Sequence, residues 1–292
     1  MASLMNQSAA PRLERSCGST ASDWIRTVPS RPGFERMEAF FSGHAFDPHR
    51  HDTYAIGYTL NGVQSFRYRG ASEQSIPGQV FVLHPDETHD GRAGTIAGFR
   101  YRILYVEPRL IQDALGDAGC SIPFVRDPVS NDKRLAAAIM PALDDLEMLL
   151  EDLHLDQIVL TLAEALVALD SSVPRKRLAA HHLRAVNDAR DFLDASAHKA
   201  VRSVELEAIT GLTRYALARH FRARVGTSPY RYLIMRRLDR VRSLIRNRAP
   251  LADAAVSSGF ADQSHMTRHF KNAYGVSPGR WAAMTASHAT AL

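Results

Sequence analysis

The sequence predicts an α+β multidomain chain. Its front half is read as short strands closed into a barrel or sandwich and followed by a helical pair. Its back half is read as all-helical. Three observations predict this. The 292 residues hold 45% hydrophobic and 23% charged side chains, the ordinary mix of a packed globular protein of one or two domains. Charge divides the chain at Pro174: residues 1–174 hold 15 Lys+Arg against 23 Asp+Glu, net −8, and residues 175–292 hold 21 against 8, net +13. The hydrophobic period also changes, from β-type runs before residue 107 to a helical i, i+3, i+4 pattern after residue 132. An acidic front and a basic back imply two jobs, and the back is suited to a polyanion, nucleic acid ahead of membrane.

Residues 1–35 are polar, with Pro11, Gly18, Pro29, Pro32 and Gly33, and read as a flexible arm. Met1 to Thr20 has no apolar stretch of secretory type. The barrel is expected over 36–130. Thr53–Leu60 and Val63–Tyr68 flank Asn61-Gly62, a hairpin signal. Pro77-Gly78 marks another turn before Val80–Leu83, and Phe99–Val106 is a further strand. Residues 131–170 carry two apolar stripes, one from Leu135 to Leu150 broken by Pro141, the other from Leu155 to Leu169. Amphipathic helices must bury such stripes, on the barrel or in a dimer seam, and the sequence leaves both open. Residues 171–180, with Pro174-Arg-Lys-Arg, read as a linker. Cys17 and Cys120 are the only cysteines, which fits a reducing cytoplasm. No run of about 18 apolar residues is present, so no membrane span is expected.

Residues 181–292 contain an internal repeat. Arg219-His220-Phe221, Gly226, Ser228, Pro229 and Arg231 recur 49 positions later as Arg268-His269-Phe270, Gly275, Ser277, Pro278 and Arg280. Each copy reads as a short helix, a glycine turn, a second helix, then Gly-x-Ser-Pro opening the next helix. Thr213 and Asp262 are plausible N-caps, and Ser-Pro at 228–229 and 277–278 supplies N-cap plus proline at N1. This is the grammar of two helix-turn-helix units, whose second helices enter the DNA major groove. Ser228–Asn247 reads as one rigid helix between them.

The segment Leu251-Ala-Asp-Ala-Ala-Val-Ser-Ser-Gly-Phe-Ala-Asp-Gln-Ser-His-Met-Thr-Arg-His-Phe-Lys-x3-Gly-Val-Ser-Pro-x2-Trp281 resembles the signature of the AraC/XylS family of bacterial transcription regulators. The resemblance implies sequence-specific DNA binding. It puts the base-facing positions of the first reader on Arg214, Tyr215, Ala218 and Arg219, and those of the second on Gln263, Ser264, His265 and Arg268. Independently, Arg forks to guanine O6/N7 and Gln pairs with adenine N6/N7. Arg222, Arg224, Lys271 and the arginines of the intervening helix suit phosphate.

The front half carries Pro48-His49-Arg50-His51-Asp52 and, after Pro77-Gly78, His84-Pro85-Asp86-Glu87-Thr88-His89. It resembles the cupin-type ligand-binding barrel common at the front of this family. His49, His51, His89 and Tyr101 are the candidate effector-binding residues. Three imidazoles also suit Zn, Fe or Mn. Enzymatic cupins add a carboxylate shortly after the His-x-His, and Thr53-Tyr54-Ala55-Ile56 has none, so no metal or cofactor is expected. Nor is there a Gly-x-Ser-x-Gly, a phosphate-cradling glycine loop or a His-Glu-x-x-His. The expected protein is a regulator, not an enzyme. Its expected partners are a double-stranded operator, a small polar effector, a second copy of itself and RNA polymerase, at the bacterial nucleoid in the cytoplasm. The alternatives are a cupin metalloenzyme fused to a DNA-binding domain, and a ligand-independent DNA-binding regulator.

Overall fold

The computed structural model describes residues 23–28, 31–116, 121–171 and 178–289. Cys17, Cys120 and residues 172–177 of the expected linker lie outside them. Strands β1 (Trp24–Val28), β2 (Phe34–Phe41), β3 (His44–His49), β4 (Tyr54–Gly62), β5 (Gln64–Tyr68), β6 (Ala71–Ser75), β7 (Val80–Leu83), β8 (His89–Ala93) and β9 (Phe99–Val106) build the front domain. Helix α1 (Pro108–Ala114), short β10 (Val129–Ser130), α2 (Lys133–Leu143) and α3 (Asp152–Ala168) complete it. One sheet has the order β1-β2-β9-β4-β7-β10 and the other β3-β8-β5-β6. Every neighbouring pair in these orders is antiparallel, and the two sheets face each other as the walls of a barrel.

Two local expectations change. Trp24–Val28 is not arm but strand, paired along its whole length with Arg36–Phe40 of β2, while residues 1–22 lie outside the described residues. Asn61-Gly62 is not a hairpin turn: β4 belongs to the larger sheet and β5 to the smaller, so the chain crosses between sheets there. Gly62 has φ +72 and passes so close to the Gly98 carbonyl that a Cβ would overlap it, which explains the glycine without a hairpin. The tight hairpin is instead β5–β6, closed by Arg69 and Gly70, both with positive φ.

Alternation along β9 sorts the two cores. Phe99, Tyr101 and Ile103 face the barrel interior. Leu104 and Val106 face outward, into a second core with Leu135, Ile139, Leu143, Leu155, Ile158 and Leu162 of α2 and α3. Packing on the barrel therefore takes the stripes for which a dimer seam was the other option. Buried Arg36 locks the arrangement by donating to the carbonyls of Ala142, in the last turn of α2, and Met148, beyond it.

The back half runs α4 (Ala180–Ser196), α5 (Ser203–Thr210), α6 (Arg214–Val225), α7 (Pro229–Arg246), α8 (Leu251–Ser257), α9 (Gln263–Tyr274) and α10 (Pro278–Ala289). The caps fall where the sequence puts them. Thr213, Ser228, Asp262 and Ser277 accept from the backbone N–H three residues on, and Gly211, Gly226 and Gly275 are left-handed C-caps. The back half docks on the barrel. Ile234, Met235, Phe270 and Trp281 join the same buried cluster as the barrel interior.

Candidate functional site

The barrel is not closed at the end facing the back half. There a cavity of about 480 Å³ opens between the two. His49, His51, His89 and Tyr101, the four residues singled out from sequence, all line it. Register brings two of them together, because His49 pairs directly with His89 across β3 and β8. Ring centroids lie 4.2 Å apart for His49–His89, 4.9 Å for His51–His89 and 6.2 Å for His49–His51.

Each ring has its Nδ1 on a backbone carbonyl two residues away: Asp47 at 2.8 Å, Thr53 at 2.9 Å and Glu87 at 3.0 Å. A carbonyl only accepts, so these Nδ1 atoms carry the protons and the Nε2 atoms are the lone-pair faces. Burial holds all three rings neutral, His89 with its pKa lowered to about 4, and at His49 and His51 the neighbouring imidazoles lower it further. Burial likewise keeps the Tyr101 hydroxyl protonated by raising its pKa. Among the described residues, no group of three His, Cys, Asp or Glu side chains is placed to hold a metal ion.

Sequence reasoning missed the rest of the wall. Tyr105 lies one period-2 step from Ile103 on the Tyr101 face, so alternation was the available signal. Its ring meets His51 edge-on at 5.3 Å. Gln64 begins β5 and lines the same cavity. The opposite wall comes from the back half: Met235, Arg236, Asp239 and Arg242 of α7, Tyr274 of α9 and Trp281 of α10. Only contact between halves reveals these.

That contact corrects the phosphate assignments. Arg224 is buried, 5% exposed at the side chain, and pairs with Asp113 of α1 at 3.3 Å. Three of the α7 arginines behave alike, whereas Arg240 and Arg246 are exposed. Arg236 donates to Glu107 at 2.6 Å and to Asp52 at 2.9 Å, Arg242 grips Glu35, and Arg237 binds the carbonyls of Ala197 and Lys199. In this arrangement they face the acidic barrel or their own domain, not a duplex. The back half's positive charge is thus partly matched by the front half's negative charge. Burial pushes Asp52 up to about 6 even with Arg236 beside it.

Asp86 is the densest of these junctions. It sits at φ +62, and its N–H donates to the His51 carbonyl at 2.7 Å. Its carboxylate meets Arg222 of α6 at 3.4 Å, Arg50 at 3.5 Å and Arg231 of α7 at 3.9 Å. On the far side, Asp47 N–H donates to the Gly275 carbonyl at 2.9 Å, at the end of α9. Both second helices of the repeat therefore rest their C-terminal ends on the histidine-bearing edge of the barrel.

Their N-terminal parts point away from this contact. Arg214, Tyr215 and Arg219 are exposed on α6 and Ala218 is half-buried; Gln263, Ser264 and Arg268 are exposed on α9. His265 is half-buried, its Nε2 3.0 Å from that of His269. Lys271 is exposed on the last turn of α9. Leu217, Phe221, Met266 and Phe270 fill the cores beneath.

Fold and site together define a class: a small-molecule barrel joined through its open end to a double helix-turn-helix unit. The comparisons give the class its family. The AraC-like ligand binding domain matches residues 31–163 and a helix-turn-helix domain matches residues 206–284. An uncharacterized HTH-type transcriptional regulator, YbfI of Bacillus subtilis (strain 168), is 28% identical over 235 residues, covering 76% of this chain and 81% of YbfI. A probable transcriptional regulator, LumQ of Photobacterium leiognathi, is 29% identical over 92 residues, 31% of this chain and 37% of its own. Crystal structures of ToxT from Vibrio cholerae share the fold. The form with an unsaturated fatty acid bound has a TM-score of 0.59 at 13% identity, covering 90% of this chain and 96% of ToxT. The chain belongs to the AraC/XylS family of transcription regulators, with a cupin-like ligand-binding front and a DNA-binding back.

Proposed function

We propose that this regulator is a one-component switch whose small-molecule effector binds between the barrel and α7, α9 and α10, and so sets how the two readers are held. One observation carries the reading. The four candidate effector residues share a cavity whose opposite wall is the DNA-binding half itself. An occupant touches both halves at once, and it shifts their arrangement by as much as it prefers one arrangement over another. The relatives are named as regulators, and ToxT, of the same fold, binds an unsaturated fatty acid. At the operator, in the cytoplasm with the nucleoid, the regulator would act on RNA polymerase.

The test is operator affinity of the full chain on DNA from upstream of its own and neighbouring genes, against scrambled DNA at one salt concentration, with and without a panel of small metabolites. Specific binding moved by one compound is expected. Specific binding that no compound moves would favour the ligand-independent alternative. Equal binding to scrambled DNA would remove sequence reading for the sites tried.

A homodimer belongs to the same proposal. Leu153 and Leu160, seven residues apart on α3, are 83% and 36% exposed, and Leu149 just before the helix is 85% exposed. This second apolar face is distinct from the one buried on the barrel. Leu153→Lys with Leu160→Lys is expected to convert a dimer to a monomer in sedimentation without loss of fold. A doubly substituted chain that still sediments as a dimer would place the seam elsewhere.

A further inference from the structure

We propose that the cavity is built for an amine, with a primary ammonium group set against His49, His51 and His89 and an apolar body filling the remaining space. The inference rests on the cavity being the effector site. It concerns which chemistry that site accepts.

The barrel side of the cavity is rich in lone pairs. With Nδ1 of each histidine committed to a carbonyl, each neutral ring turns to any other partner as an Nε2 acceptor. The Nε2 of His51 is buried with no hydrogen-bond partner in the described structure. Two more buried acceptors on the lining share that condition, Gln64 Oε1 and Asp52 Oδ1. Asp52 adds charge as well as a lone pair, since its other oxygen accepts from Arg236. Gln64 can turn its amide either way, so it suits a donor or an acceptor. The histidines and Asp52 cannot.

The available ligand chemistries differ against such a surface. A carboxylate or phosphate brings only lone pairs, which repel Nε2 lone pairs. A hydroxyl brings one donor and two lone pairs of its own. A primary ammonium brings three N–H donors, no lone pair and a positive charge. The cations on the lining do not reverse this preference. Arg236 and Arg242 are neutralised by Glu107, Asp52 and Glu35, and the lining as a whole holds four Arg against five Asp and Glu. Beyond the histidines, Phe46, Phe81, Leu83, Ile103 and Trp281 offer an apolar wall. A volume of about 480 Å³ leaves room for an alkyl or arylalkyl body. The class is a monoamine with one apolar group.

The experiment is calorimetric titration of the full chain at pH 7.5 with two matched sets: 2-phenylethylamine, 2-phenylethanol and phenylacetate; hexylamine, 1-hexanol and hexanoate. At least one amine is expected to bind about tenfold or more tightly than both of its isosteres, a preference of ~1.4 kcal/mol. His51→Phe, which keeps the volume and removes the acceptor, is expected to cost that amine about tenfold and to change the alcohol by less than about threefold. His89→Phe, which removes another Nε2 acceptor of the lining, is the second variant should His51→Phe fail to fold, with an expected loss of about fivefold for the amine and less than about twofold for the alcohol. An alcohol or carboxylate that binds as well as its amine, or no binding by either amine, overturns the assignment. An amine that binds as expected but leaves operator affinity unmoved counts against the switch and not against the ammonium site.

Discussion

Asp86 serves three arginines from three parts of the chain, and its own N–H holds the His51 carbonyl. Of the three, Arg222 is the one a duplex can also reach, since its side chain is 63% exposed on the last turn of α6. Barrel and phosphate therefore compete for it. Asp86→Asn keeps the size and removes the charge. The expected result is tighter non-specific DNA binding, with the slope of log affinity against log salt steeper by about 0.9, one added phosphate contact. An unchanged slope would mean that Arg222 does not reach phosphate even when released. Among the described residues no carboxylate is paired with Arg268, which lies exposed on α9. Arg268→Ala is expected to cost ~1–3 kcal/mol at the operator and to relax preference at one base pair, read by binding to a set of single-base operator variants. An equal loss on every sequence would make it a phosphate contact.

The four left-handed glycines of the repeat separate local geometry from docking. Gly211 and Gly275 have nearly the same φ, +65 and +68, so alanine at either carries the same backbone cost of about 1–3 kcal/mol. Their surroundings differ. A Cβ at Gly211 meets nothing within 4 Å, whereas one at Gly275 falls 2.7 Å from the Asp47 carbonyl oxygen and 2.8 Å from His49 Nδ1. Gly275→Ala must therefore also lift α9 from β3. It is expected to lose at least about 1 kcal/mol more than Gly211→Ala in denaturation, and to alter effector binding, which Gly211→Ala does not touch. Equal losses and equal effector affinities would show that the α9–β3 contact does not position the cavity. Helix caps and turns such as these were legible in the sequence because capping involves neighbours three or four residues apart. The crossing at Asn61-Gly62 was misread for the opposite reason: a hairpin and a sheet-to-sheet crossing use the same two residues, and only the distant approach of Gly98 tells them apart. Trp24–Val28 reads as arm in the sequence because the packing that holds its hairpin with β2 comes from the distant α10.

On the scale of the whole molecule, half of the site was legible and half was not. His49, His51, His89 and Tyr101 could be read because the barrel that gathers them is one domain with alternating strands. Arg236, Arg242 and Trp281 could not, because on a basic helix an arginine that binds phosphate and one that binds another domain's carboxylate have the same local sequence. The seam between halves is also where acid acts. Burial puts the pKa of His49, His51, His84 and His89 below the ordinary 6.5, with His84 and His89 at about 4. Between pH 6.5 and 4 the unfolded chain binds protons at these rings that the folded chain refuses, so stability falls as pH falls through that window. For His84 and His89 the loss is on the order of 3 kcal/mol each by pH 4, and His49 and His51 add to it. Asp52 opposes them. Its folded pKa near 6 lies above the ordinary 3.8, so the folded state binds the extra proton there and gains stability as pH falls. That gain is again on the order of 3 kcal/mol. Asp194 and Asp239, which burial also pushes up, act in the same direction, while His220 and His269, which burial lowers, join the other histidines. Glu107, whose pKa Arg236 and Arg109 pull down against its burial, sides with the histidines. The net expectation is a midpoint in denaturant that drops steadily from pH 7 to pH 4, while the cavity histidines of the chains still folded keep their neutral acceptor faces down to about pH 4. A midpoint that stays flat or rises through pH 6 to 4 would mean that the histidines take up protons in the folded state. In that case the Nε2 faces of the cavity would be donors rather than acceptors.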